Sequence, residues 1–83
     1  MKYVPKFTEQ FIEDTKKLKG PLRERLEKAV IKILENPELG KPLKYSFKGL
    51  RTERVGKFRI IYEIEGNIVV FHTFEHRKKV YKR

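Results

Sequence analysis

The sequence predicts an α+β fold: an N-terminal strand, a two-helix hairpin packed on one face of an antiparallel sheet of about four strands, and a short basic C-terminal segment. Three observations carry that expectation. Apolar side chains recur at helical spacing between Thr8 and Asn36. They then recur with period two between Leu50 and His76, around two glycine-containing turns. No repeat, low-complexity tract or Gly/Ser-rich linker divides the chain, so residues 1–83 are expected to form a single domain.

Each element has a local reason. Lys2–Phe7 reads as a strand, and Pro5, which has no amide to donate, places it at a sheet edge. Thr8 is suited to cap a helix, and Phe7 and Ile12 have the spacing of a hydrophobic staple. Phe11, Ile12, Thr15 and Leu18 make the stripe of that first helix. Gly20-Pro21 interrupts the chain, and Pro21, with its preset φ, suits the first turn of a second helix. Leu22, Leu26, Ala29, Val30, Ile33 and Leu34 supply its apolar face, and Asn36-Pro37 ends it. Pro42-Leu43-Lys44 begins a connection toward a strand near Leu50–Val55.

The register follows from turn chemistry. Phe58, Ile60, Tyr62 and Ile64 alternate with Lys57, Arg59, Ile61 and Glu63, the pattern of a half-buried strand. Gly66-Asn67 fits a two-residue hairpin turn. Glu65 then faces Ile68, Ile64 faces Val69, Tyr62 faces Phe71 and Ile60 faces Thr73, on the more apolar face. The other face pairs Glu63 with Val70, Ile61 with His72 and Arg59 with Phe74. A second turn at Gly56-Lys57 pairs Val55 with Phe58 and sets Arg54 directly opposite Arg59. Like charges so placed cost roughly 0.2–1 kcal/mol. The bland reading is that both side chains splay into water. The functional reading is that the forked guanidinium groups await an anion such as phosphate. The helices are expected to cover the apolar face and leave the arginine face open.

Charge points the same way. Lys and Arg number 21 against 11 Asp and Glu, a net of +10. Residues 1–40 carry only +2 of this, and residues 41–83 carry +8. An excess held in one half of a chain is a binding face, and nucleic acid is its usual partner. No segment is long and apolar enough to insert in a membrane, so no membrane partner is expected. No secretory signal is visible, so a cytoplasmic protein is expected. The chain has no cysteine, hence no disulfide framework and no thiolate metal site. His72 and His76 have a helical ligand spacing but fall on a strand and its exit, and no third ligand is apparent. Neither a metal nor another cofactor is expected.

Several stretches occur together in order: Gly49-Leu50-Arg51, then Val55-Gly56-Lys57-Phe58-Arg59-Ile60-Ile61-Tyr62, then His76-Arg77-Lys78-Lys79-Val80-Tyr81. In this the chain resembles the RelE branch of the RelE/ParE toxin superfamily, over essentially its whole length. The resemblance implies a toxin of a type II toxin–antitoxin pair. It implies a ribosome-dependent, metal-independent endonuclease that cuts mRNA in the ribosomal A site, using the RNA 2′-hydroxyl as nucleophile. It implies an acidic, RelB-like antitoxin as partner. By the same resemblance Arg59, Arg77, Tyr81 and Arg54 are the catalytic set. Thr52 and Leu50 stand where the family often has lysines, so Lys41, Lys44, Lys48 or Arg51 are candidates to substitute. His76, Lys78, Lys79, Lys82 and Arg83 are further candidates for RNA contact.

The residue types suit that chemistry. Cleavage by a 2′-hydroxyl needs a base, a donor to the leaving 5′-oxygen, and positive charge on the phosphorane. Arg59 and Arg54 supply charge, and Arg77 a hydrogen bond to the leaving oxygen. Tyr81 is either the base, if cations lower its pKa, or a ring that stacks or packs. His72 falls on the Arg59 face by this register, although a strand histidine is more often structural. Two readings of other classes remain beside the nuclease: a ParE-like inhibitor of DNA gyrase, and a non-enzymatic basic RNA-binding module.

Overall fold

The computed structural model describes residues 2–78, without the side chain of Ser46. Along the chain run β1 (Val4–Phe7), α1 (Glu9–Thr15), α2 (Gly20–Glu35), a 3-10 turn (Pro37–Leu39) and β2 (Lys41–Pro42). A second 3-10 turn (Tyr45–Phe47), β3 (Arg51–Val55), β4 (Phe58–Glu65) and β5 (Ile68–His76) follow. The five strands form one mixed sheet in the order β1-β5-β4-β3-β2. The two helices pack on one of its faces, as the helical periodicity requires.

The sheet is larger than expected from the sequence and not wholly antiparallel. Lys41–Pro42 adds a two-residue strand against Arg51 and Thr52. β1 does take an edge, but it runs parallel to β5, with Val4 opposite Ile68 and Phe7 opposite Phe71. The α1–α2 hairpin returns the chain to the far edge of the sheet, and that makes the parallel pairing reachable.

The caps and breaks act where the sequence put them. The Thr8 hydroxyl accepts from the Phe11 amide at 3.0 Å and so satisfies one orphan donor of α1. Pro21 lies in the first turn of α2. The core joins Phe11, Leu26, Ile33 and Leu34 of the helices to Val55, Ile60, Tyr62, Val69, Phe71 and Phe74 of the sheet. Ile12 departs from its predicted stripe. It is half exposed, as are Phe7 and Ile31, and all three line an apolar groove between β1 and the helices.

Both hairpin turns form as expected, with Arg54 opposite Arg59 and Val55 opposite Phe58, and Glu65 opposite Ile68. From Glu65 to Tyr62 the predicted partners hold; beyond them the register shifts by one residue. Ile61 faces Thr73, Ile60 faces Phe74, and Arg59 faces Glu75. The predicted pairs Ile61–His72, Ile60–Thr73 and Arg59–Phe74 do not occur. His72 is the extra residue of a β-bulge.

The cause of the bulge is tertiary. An unbroken alternation would turn Phe74 away from the helices. The extra residue returns it to the core, stacked on Phe58 with ring centroids 5.1 Å apart. Helix α1 holds the irregularity from both ends. The Thr8 hydroxyl donates to the His72 carbonyl at 2.8 Å, and the Asp14 carboxylate accepts from the Phe74 amide at 3.0 Å. Backbone groups released from the ladder are thus paired, as buried polar groups must be.

Candidate functional site

The bulge also decides what shares a face with Arg59. Beyond it, Thr73, Glu75 and Arg77 turn to the side of Arg59, and Phe74 and His76 turn to the helices. A cleft of about 460 Å³ results, lined by Leu39, Lys41, Thr52, Glu53, Arg54, Arg59 and Arg77. Four cationic side chains from β2, β3, β4 and the end of β5 therefore meet at one place. The Glu53 carboxylate is taken up by Lys32 of α2, at 2.9 Å.

Rigid elements position each cation. Arg54 and Arg59 sit directly across a ladder, so their Cβ atoms are about 5 Å apart. Arg54 is exposed and Arg59 half-buried. Glu75 lies on the far side of Arg59. The Arg77 amide donates to the Lys57 carbonyl at 3.0 Å, which ties the β5 exit to the Gly56-Lys57 turn. Lys41 pairs with Thr52. The Thr52 and Thr73 hydroxyls, on either side of Ile61, are buried without a hydrogen-bond partner among the described residues. The face is not wholly open: Ile61 and Val70 lie on it and are buried.

Other candidates lie elsewhere. Arg51 is on the helix side and donates to the carbonyls of Glu38, at 3.1 Å, and Gly40, at 2.9 Å. It braces the turn that carries Leu39 and Lys41 to the cleft. The fully buried Tyr62 does the same, its hydroxyl donating to the Pro37 carbonyl at 2.6 Å. A Cβ at Gly40 would collide with that hydroxyl, so the close approach requires glycine. Burial pushes the Tyr62 phenol above the ordinary 10.0, although backbone hydrogen bonding at Gly40 and the Arg51 charge act the other way.

His72 is on the arginine face as predicted, paired with Glu63 at 2.6 Å. Glu63 is four residues along β4 from Arg59, about 13 Å, so the pair is outside the reach of a phosphate held at Arg59. His76 is edge-on to Phe58, with ring centroids 5.5 Å apart, on the face opposite Arg59. Lys78 is exposed beside it, and its amide donates to His76 Nδ1 at 3.3 Å. Lys44 and Lys48 line a second cleft around the second 3-10 turn. Tyr81, Lys79, Lys82 and Arg83 lie outside the described residues.

Two features escaped the sequence reading. One is Glu75, set opposite Arg59 only by the bulge. The other is Tyr45, which lines the second cleft and is largely exposed. Its signal was present in Lys44-Tyr45-Ser46-Phe47-Lys48, an aromatic between lysines in a stretch without helical or strand period.

Comparison with known proteins follows the same lines. The family model described as ParE toxin of type II toxin–antitoxin system matches residues 6–81. Toxin RelE3 of Methanocaldococcus jannaschii is 31% identical over 81 residues, covering 90% of this chain and 91% of that protein. A RelB–RelE antitoxin–toxin complex from Methanococcus jannaschii contains a chain of similar structure, with TM-score 0.71 and 26% identity over 90% of this chain and 93% of that one. The fold is also that of the intact E. coli RelBE toxin–antitoxin complex, with TM-score 0.75 and 21% identity over 89% of this chain and 95% of that one.

Proposed function

The chain belongs to the RelE branch of the RelE/ParE superfamily of type II toxin–antitoxin toxins, and on that footing we propose that it is a ribosome-dependent, metal-independent endonuclease cleaving mRNA in the A site. One observation carries the reading: Lys41, Arg54, Arg59 and Arg77 converge on one cleft although they come from four different elements. Placing two arginines opposite each other costs stability; Glu75, across from Arg59 on β5, offsets part of that, and a bound phosphate would offset more.

In this reading the RNA 2′-oxygen attacks the adjacent phosphorus and the bond to the 5′-oxygen breaks. The 2′-hydroxyl proton passes to a base and the departing 5′-oxygen takes a proton from water, leaving a 2′,3′-cyclic phosphate and a 5′-hydroxyl. Arg59 and Arg54 hold the phosphate oxygens as negative charge builds on them. That contribution is electrostatic and needs no proton transfer from guanidinium, which stays protonated. Arg77 hydrogen-bonds the departing oxygen. Lys41 takes the place of a lysine that the family often carries at Thr52, on the strand beside it. Tyr81 belongs to the catalytic set by family resemblance, either as the base or as a ring that stacks on a nucleotide. The partner in the cell would be an acidic, RelB-like antitoxin that neutralises the basic half of the chain. Action on ribosomes implies the cytoplasm. No helix among the described residues is long and apolar enough to cross a membrane.

An in vitro translation reaction with primer extension on the mRNA tests this. Wild-type protein should cut within ribosome-occupied codons, and Arg59→Ala should bind ribosomes without cutting. A second reading rests on the description of the matched family model, which is that of a ParE toxin. Intact mRNA and unharmed translation, with supercoiling by DNA gyrase blocked, would establish that alternative. Binding of RNA with neither effect would leave the basic binding module.

A further inference from the structure

Tyr45 is unusual in two independent ways. The residue is 90% exposed, whereas the next most exposed large hydrophobic among the described residues, Leu39, is 62% exposed. It is also the one non-glycine residue with positive φ among the described residues, at 61°. Left-handed backbone is costly for a side chain with a Cβ, and such strain gathers at functional positions. A tyrosine ring in water forgoes the burial that would stabilise it.

The strain is held by a compact turn. The Phe47 amide donates to the Lys44 carbonyl at 3.1 Å, Lys48 to Tyr45 at 2.9 Å and Leu50 to Phe47 at 3.0 Å. Leu43 closes the loop on the Leu50 carbonyl at 2.9 Å. The ring is therefore carried outward on a braced support. Lys44 and Lys48 line with it a cleft of about 460 Å³, to which Pro42 and Arg51 also contribute. Between Glu38 and Glu53 the chain has four cationic residues and no carboxylate. Lys41 lines the arginine cleft, and its neighbour Pro42 lines this one with Arg51, across the same β2 edge of the sheet.

We infer that Tyr45 is a stacking platform for an unpaired RNA base, with Lys44 and Lys48 on the flanking phosphates. An exposed aromatic between cations is how proteins hold single strands, because every base has a π-face and every nucleotide a charge. The inference extends the nuclease reading and rests on it for the identity of the strand. RNA leaving the arginine cleft would pass Lys41 and round the β2 edge of the sheet to reach the turn. An acidic protein partner would also pair these lysines and value an exposed tyrosine; what favours RNA is that Lys41 and Pro42 join this turn to the arginine cleft across one sheet edge.

The test uses the full-length chain and an unstructured 2′-O-methyl oligoribonucleotide, which lacks the nucleophile and stays intact. The sequence has no tryptophan, so Tyr45→Trp introduces a single indole reporter. Adding the oligonucleotide should quench its fluorescence. Tyr45→Ala should weaken binding about tenfold with the salt dependence unchanged, whereas Lys44→Ala and Lys48→Ala should each flatten the salt slope. Tyr45→Gly relieves the backbone strain, so it should melt no lower than wild type while binding as poorly as Tyr45→Ala. Wild-type affinity in Tyr45→Ala, or unquenched indole at saturating oligonucleotide, overturns the platform. So does a Tyr45→Ala defect confined to binding a co-expressed antitoxin. The translation assay is scored separately: cuts by wild type with unimpaired RNA binding by Tyr45→Ala would sink the platform and leave the nuclease reading standing. Absent cuts with quenched indole would do the reverse.

Discussion

The two faces of the sheet are built by opposite rules. The helix-covered face joins Ile60, Tyr62, Val69, Phe71 and Phe74 to the apolar sides of α1 and α2, and its contribution is burial. The opposite face gathers Lys41, Arg54, Arg59 and Arg77, and by the ordinary accounting of cross-strand charge it weakens the fold. Adjacent residues on β4 therefore serve different ends. Ile60 stabilises by burial, and Arg59 lies between Arg54 and Glu75 at the cleft, where the proposed function gives it its role. On the proposed function, stability and activity divide residue by residue between the two faces, and that division is testable.

The largest effect expected is on the helix-covered face. Phe71→Ala removes a fully buried ring and should cost about 3–5 kcal/mol, measured by urea denaturation. That is a large share of a small domain's stability. Arg59→Ala should invert the pattern. Its denaturation midpoint should stay close to wild type while cleavage falls at least about 100-fold, as when a transition-state donor is lost. Equal losses in both measurements would mean that Arg59 is structural.

The connection between the faces gives the next effect. Asp14→Ala strips the Phe74 amide of its partner and should destabilise by about 1–3 kcal/mol. Because the bulge turns Arg77 toward Arg59, cleavage should fall more than the unfolded fraction explains. Activity that merely tracks the folded population would break the link between α1 and the cleft.

Tyr62 offers a smaller effect with a pH signature. Tyr62→Phe removes the hydrogen bond to Pro37 and should cost about 1 kcal/mol. The folded chain keeps this phenol protonated beyond 10.0, so as pH rises past that value the unfolded chain releases its proton first. Wild-type stability from this group is complete below pH 10.0 and declines above it. The difference between wild type and Tyr62→Phe should therefore shrink in alkaline solution, and a constant difference would contradict it. The smallest effect is on the arginine face: Arg54→Gln relieves the repulsion with Arg59 and should raise stability by roughly 0.2–1 kcal/mol while lowering RNA affinity.

Much of this was legible in the sequence because the determinants are local. Thr8, Pro21 and Asn36-Pro37 mark the helix ends by capping and breaking chemistry that acts over a few residues. Gly56-Lys57 and Gly66-Asn67 fix two hairpins, and with them the opposition of Arg54 and Arg59. The alternation also separates Arg54 from Arg51: Val55 belongs to the core, so Arg51, of the same parity, faces the helices. Its role in bracing the Pro37–Leu39 turn was implicit in the pattern, although its charge invited a reading as an RNA ligand.

What the sequence determined was the set of elements, their turns and the gathering of charge in the second half of the chain. Tertiary structure alone decided the bulge at His72. Nothing local favours an extra residue there, and an even alternation is the shorter description. The shift occurs because Phe74 is buried against Phe58 and because Thr8 and Asp14, about sixty residues earlier, supply partners for the displaced backbone. From that one residue follow Glu75 opposite Arg59, His76 withdrawn to the helix side, and Arg77 brought to the cleft. The parallel pairing of β1 with β5 is of the same kind: its hydrogen bonds join residues more than sixty positions apart, and no periodicity within either strand encodes the partner.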